Sequence, residues 1–143
     1  LFSINTFGPL YLIAACWPIF LKQHKDGVAK SGTAEANPAG GRIVNISSMS
    51  TIDPFPGLAI YAASKAALES LTRSVMNEGR RHNILAFSIV LGSVETPMLR
   101  QVVSHQDLPH ELTLDPSDAA TVIAACVRGQ RDADAGKPIV VKK

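Results

Sequence analysis

Two stretches, RIVNISS at 42–48 and ILAFSIVL at 84–91, decide the fold. The first is a β-branched run bounded by Gly40-Gly41 and a serine cluster, and the second is a nearly unbroken apolar run, so both read as buried strands. Between them, from Tyr61 onward, Ala63, Ala66, Ala67, Leu71, Val75 and Met76 form the apolar stripe of a helix that ends near 79–82. Residues 50–58 hold Pro54, Pro56 and Gly57 and are a connecting loop. Strand, helix and strand in this order, with continuous rather than alternating strands, predict a βαβ unit in a parallel sheet covered on both faces. The predicted class is α/β, a doubly wound parallel sheet. Ligands of such sheets bind beyond the carboxyl ends of the strands, which directs the search for chemistry to 47–50 and 91–96.

Working outward, residues 1–21 carry no charge, and the first charged side chain is Lys22. The run is long enough to cover a hydrocarbon core, but it holds Ser3, Asn5, Thr6, Pro9 and Pro18 and lacks a basic leader and a small-residue cleavage site. It is predicted instead as a helix over 2–22, buried on most sides between a sheet and a second subunit. Residues 26–41 (DGVAKSGTAEANPAGG) are small and polar without an apolar period and are expected to be an exposed loop. Residues 92–114, with Pro97 and Pro109, read as irregular with short helical pieces. Asp115-Pro116-Ser117 opens another helix that runs to Val127, and 137–142 (KPIVVK) is a last short strand.

Composition narrows the function. The chain has 143 residues, 46% hydrophobic and 18% charged, with a net charge of +2. So small and scattered an excess of basic residues argues against a nucleic-acid surface or an electrostatically held membrane protein. Cys16 and Cys126 lie far apart in apolar runs without ligand or redox spacing, and read as buried thiols of a reducing compartment. His24, His82, His105 and His110 are scattered at loop or helix-end positions, where solvation is expected and no metal site is predicted. Ser48 lacks the G-x-S-x-G turn of a hydrolase nucleophile.

The chemistry is concentrated in a few residues. Tyr61 and Lys65 share one helical face. A tyrosine with a free pKa of about 10 is a poor base near neutrality. An ammonium one turn away favours the phenolate. A serine hydroxyl at the end of the preceding strand, Ser48, can hold the oxygen of a carbonyl or alcohol while the tyrosine exchanges its proton. Ser47 and Asn45 read as structural, the first as a strand-end hydroxyl and the second bonded to backbone.

Ser48, twelve residues, then Tyr61-x-x-x-Lys65 resembles the catalytic signature of the short-chain dehydrogenase/reductase family. GRIVNISS (41–48), YAASKAALESLTRS (61–74) and GSVETPM (92–98) resemble that family's second half, in order and over nearly the whole chain. The resemblance implies a Rossmann-like fold, NAD or NADP as cofactor, and hydride transfer between nicotinamide and a carbonyl or secondary alcohol, such as a 3-oxoacyl group. It implies Tyr61 as acid/base and cofactor contact, Lys65 as its activator and a ribose ligand, Ser48 as orienter of the substrate oxygen, and Asn5 as holder of a relay water. Gly92, Val94 and Thr96 match the turn that meets the nicotinamide carboxamide and the phosphates, Val94 through its backbone. The family usually has proline before that glycine, whereas this chain has Leu91. The substrate-loop region is placed at 97–116, and a homodimer or homotetramer through helices 2–22 and 61–79, in the cytoplasm, follows by analogy.

The glycine-rich turn that grips a dinucleotide pyrophosphate is not found: Gly40-Gly41 precedes a strand rather than a helix. With three strands readable, and an opening at Leu1 inside an apolar segment, the chain is expected to be the C-terminal catalytic part of one domain, lacking the N-terminal dinucleotide-binding half. The alternative is a non-catalytic fragment or pseudoenzyme of the same family.

Overall fold

The computed structural model describes residues 1–31 and 39–143. Strands β1 (Gly41–Ser48), β2 (Ile84–Leu91) and β3 (Pro138–Val141) form one sheet in the order β1-β2-β3. All neighbours are parallel: β1 meets β2 from Gly41 opposite Ile84 to Ser48 opposite Leu91, and β3 joins from Ser88 opposite Pro138 to Leu91 opposite Val141. Four α-helices accompany the sheet, namely α1 (Gly8–Ser31), α2 (Ala59–Gly79), the single turn α3 (Pro97–Arg100) and α4 (Pro116–Val127).

β2 is central and buried from Ile84 to Val90, which explains why its sequence does not alternate. The side chains of β1 sort the helices by face. Asn45 and Ser47 point to α2, through bonds to Thr72 and Glu69, whereas Arg42, on the other face by the two-residue strand period, pairs with Asp132 just beyond α4. Ile13 of α1, Val75 and Met76 of α2, Phe87 and Ile89 of β2, and Cys126 of α4 share one core. At Gly79 the end of α2 passes so close to β2 that an added Cβ would lie 2.7 Å from the Ile84 carbonyl oxygen. α4 starts where Asp115-Pro116 places it, with the Asp115 carboxylate accepting from the Ser117 amide and the Asp118 carboxylate from the Asp115 amide.

The first helix departs from expectation in length and in cover. A π-turn at Ser3–Phe7 leads into α1, which continues to Ser31, so residues 26–31 are helical rather than loop. Gly27 costs a helix only about 1 kcal/mol, and nothing in VAKS stops it. Gly41 already belongs to β1, and residues 32–38 of the expected loop lie outside the described residues. The helix is also not buried on most sides: within α1 only Ile13 is buried, while Ile4, Tyr11 and Leu12 are 78%, 70% and 68% exposed. One three-stranded sheet can cover only one side of a helix. By length and composition, Ser3–Ser31 is apolar enough to cross a membrane, yet its first turns are bonded to α2 through Asn5 and Thr6. β1 is paired on one edge, and a groove of about 290 Å³ runs beside it, lined by Leu12, Ile13, Phe20 and Ile43.

Smaller corrections follow from packing. Cys126 is fully buried, which pushes its thiol pKa up, but Cys16 is only half-buried. His24 lies inside α1 and meets the His82 ring edge-on at 5.5 Å rather than standing alone in solvent. Among the described residues no three His, Cys, Asp or Glu side chains are grouped to hold a metal ion.

Phe87 has no exposed surface and sits at the centre of this core. Phe87→Ala should lower unfolding free energy by about 3–5 kcal/mol, read from urea denaturation. A loss below about 1 kcal/mol would mean that the cluster is not the core.

Candidate active site

The carboxyl end of β1 and the first three turns of α2 face each other. Lys65 Nζ donates to the Ile46 carbonyl at 2.8 Å and stands 5.8 Å from the centre of the Tyr61 ring. Burial pushes the Lys65 pKa below its ordinary value. Ser48 ends the strand in extended conformation, and its hydroxyl oxygen accepts from the Ser50 amide at 3.2 Å. Accepting there leaves the hydroxyl proton for a substrate oxygen.

Asn5 reaches the same helix from the π-turn. Its Nδ2 donates to Ser64 Oγ at 3.0 Å, and Ser64 in turn donates to the Tyr61 carbonyl at 2.7 Å. Asn5 is therefore brought to the Tyr61 turn through a buried serine that sequence reasoning passed over, although Ser64 lies within the quoted Tyr-x-x-x-Lys. Asn45 differs from expectation: its Nδ2 donates to the Thr72 side chain at 2.9 Å, not to backbone. Ser47 is a strand-end hydroxyl as read, bonded to Glu69.

Beyond β2, the 92–96 turn is anchored by Gly92 N–H on the Val141 carbonyl. A parallel bridge then joins Val94 to Leu114, using the Ser93 carbonyl and the Glu95 amide. The Val94 amide takes no part in that bridge. Thr96 caps α3, donating to the Val94 carbonyl and accepting from the Leu99 amide. Glu95 holds Arg100 in a two-pronged pair, Arg100 Nε on Oε1 at 2.7 Å and Nη2 on Oε2. The remaining nitrogen, Nη1, donates to the Leu108 and Ser104 carbonyls, and the buried Thr113 hydroxyl donates to Glu95 Oε2 at 3.0 Å. This latch closes the 97–114 segment onto the turn, and it was missed because Glu95 and Arg100 are five apart across a proline, outside any helical spacing.

Residues 1–107 match the family model for short chain dehydrogenase. The chain belongs to the short-chain dehydrogenase family. Among the relatives of this dehydrogenase chain is an uncharacterized oxidoreductase of Staphylococcus epidermidis, 32% identical over 96 residues that make up 67% of this chain and 35% of the relative. A fatty acyl-CoA reductase of Acinetobacter baylyi is 29% identical over 125 residues, 87% of this chain and 36% of the relative. Among solved structures, the 3-ketoacyl-(acyl-carrier-protein) reductase from Brucella melitensis, complexed with NADH, superimposes with a TM-score of 0.77 at 25% identity, over 96% of this chain and 52% of that one. The chain thus spans about a third of the length of these curated relatives and about half of that solved chain. The parallel α/β sheet described above is that of the short-chain dehydrogenase fold.

The donors at the strand ends suit a nicotinamide nucleotide. An ammonium has three N–H groups, and the Ile46 carbonyl takes one of those on Lys65, so two remain as donors. The Val94 amide takes no part in its bridge and is a further donor at the strand end.

The Arg100 hydrogen bonds, aided by the Thr113 hydroxyl and opposed by burial, hold the Glu95 pKa down to about 2 from 4.5. A carboxyl with a depressed folded pKa adds stability that is complete above its unfolded pKa and is lost as pH falls toward the folded one. Glu95→Gln should therefore flatten the urea midpoint between pH 4.5 and about 2 relative to the parent. Parallel midpoint profiles for the two proteins would sink this assignment.

Proposed function

We propose that the full-length protein is an NAD(P)-dependent oxidoreductase that moves hydride between nicotinamide and a carbonyl or secondary alcohol, and that this chain is its C-terminal catalytic part. The observation that carries the reading is the Lys65 ammonium, held on the Ile46 carbonyl and set beside the Tyr61 ring at the end of the strand that presents Ser48. In the direction of reduction, Ser48 donates its hydroxyl proton as a hydrogen bond to the substrate oxygen. Tyr61 gives that oxygen its proton, and Lys65 favours the negative charge left on the phenol oxygen. Asn5, beside Ser64, holds the water through which the proton is replaced. The bound nicotinamide supplies or accepts the hydride at the substrate carbon. Lys65 would also hold the ribose, Gly92 and the Val94 backbone would meet the carboxamide, and Thr96 would meet the phosphates.

NAD and NADP both fit this half of the site, since the residue that selects between them is not part of the arrangement described. The substrate segment is 97–116, where Met98 and Val102 are exposed and apolar beside the latch, which suits an aliphatic ketone. The names of the acyl-CoA and 3-ketoacyl reductases support an acyl substrate. A cytoplasmic location belongs to the same reading.

Tyr61→Phe in the full-length protein should lower kcat on 3-oxoacyl thioester and diketone substrates by roughly 10²-fold or more, with nicotinamide binding intact by fluorescence titration. Turnover kept at the parent level refutes the assigned role.

Homodimer or homotetramer assembly through α1 and α2 gives the exposed apolar side chains of α1 a cover. Tyr11→Glu should then shift the full-length protein to a smaller species in sedimentation velocity; an unchanged coefficient excludes this face as the interface.

A further inference from the structure

Three side chains on one face of α2 reach β1 in succession. Lys65 meets Ile46, Glu69 meets Ser47, and Thr72 meets Asn45. The first belongs to the site proposed above and the third is buried structure, but Glu69 has no part in either. Its carboxylate oxygen Oε1 accepts two hydroxyls, Ser47 Oγ at 2.5 Å and Thr51 Oγ1 at 2.8 Å. Those hydroxyls flank Ser48, one residue before it and three after. Thr51 Oγ1 also lies 2.8 Å from the Ser48 carbonyl, so the same hydroxyl touches the Ser48 peptide directly.

We propose that Glu69 is a positioning residue for Ser48, fixing the strand end that carries the serine to the helix that carries Tyr61 and Lys65. The inference rests on the oxidoreductase reading. Ser48 lies where β1 gives way to the Met49–Thr51 turn, and a strand end leading into a proline-containing loop is free to shift unless something ties it down. Glu69 ties it on both sides to a single oxygen. That oxygen sits one helical turn beyond Lys65 and two beyond Tyr61, so the reacting hydroxyls are referred to one rigid element. Ser47, buried and facing α2, donates into this carboxylate rather than to solvent. Glu69 touches no reacting atom; it acts through Ser47 and Thr51.

The test uses the full-length protein with a diketone as substrate. Glu69→Ala should lower kcat roughly 10- to 100-fold, as misplacement of a reacting group by about 1 Å does, while the dissociation constants for NADH and NADPH stay unchanged. Glu69→Gln keeps an acceptor oxygen and should restore most of the rate, which a purely charge-based role would not allow. Should Glu69→Ala fail to fold, the Ser47→Ala/Thr51→Val double variant removes both bonds to Glu69, together with the Thr51 contact to the Ser48 carbonyl, and should show the same split. Parent-level kcat in Glu69→Ala or in the double variant overturns the proposal, as does a Glu69→Gln variant as impaired as Glu69→Ala, or a matching loss of nicotinamide binding. A parent protein inactive on the whole substrate panel overturns the oxidoreductase reading and this proposal with it, whereas an active parent with an unaffected Glu69→Ala overturns this proposal alone.

Discussion

The Lys65 ammonium on the Ile46 carbonyl sets the relation between helix and sheet on which the site depends. A hydrogen bond from a charged donor is worth about 1.5–3 kcal/mol, and an ammonium left half-buried without one is costly. The bond therefore fixes both the rotation of α2 and its height along β1. Once Lys65 is set against residue 46, helical geometry brings the positions four and seven further on to the same strand, where Glu69 finds Ser47 and Thr72 finds Asn45. The position four before it, Tyr61, lies one turn nearer the start of α2, with its ring 5.8 Å from the same ammonium.

Much of this was legible in the chain. The unbroken apolar run at 84–91 could only be a strand covered on both faces, and Asp115-Pro116 with Asp118 three on carried the cap of α4 in its letters. The proximity of Tyr61 and Lys65 was legible because it is local, a single helical turn. Glu69 has the same helical spacing from Lys65, but its partners arrive from β1, 22 and 18 residues back in the chain. A sequence shows which face a side chain is on, not what comes to meet it. The end of α1 was missed for a simpler reason: a small, polar, glycine-containing stretch reads as loop, although six more residues continued the helix without strain.

Apolarity without address also accounts for the misjudged cover of α1. The uncharged run signalled a helix, which packs its start on α2 and Ile13 on the sheet but leaves most of its apolar side chains exposed. Hydropathy reports the need for cover and is silent on its source. Here β1 is paired on one edge, and the flank of α1 lies along a groove beside the other, so the apolar surface and the unpaired strand edge occur together. A strand edge is satisfied by another strand and an apolar helix face by side-chain packing, so the two surfaces call for different kinds of cover.

The site is held by two devices that do not depend on each other. The start of α2 is fixed by its polar contacts with β1, while the 97–114 segment is fixed by Glu95 and Arg100, five residues apart, with Thr113 at its far end. The Arg100 side-chain nitrogens bond Glu95 in the turn and the Ser104 and Leu108 carbonyls in the segment, and none of these bonds reaches α2. Residues between Arg100 and Leu108 can therefore change in size and polarity without moving Tyr61, Lys65 or Ser48, provided the carbonyls of Ser104 and Leu108 still meet the guanidinium. On the function proposed above, substrate choice and proton transfer would then rest on separate supports.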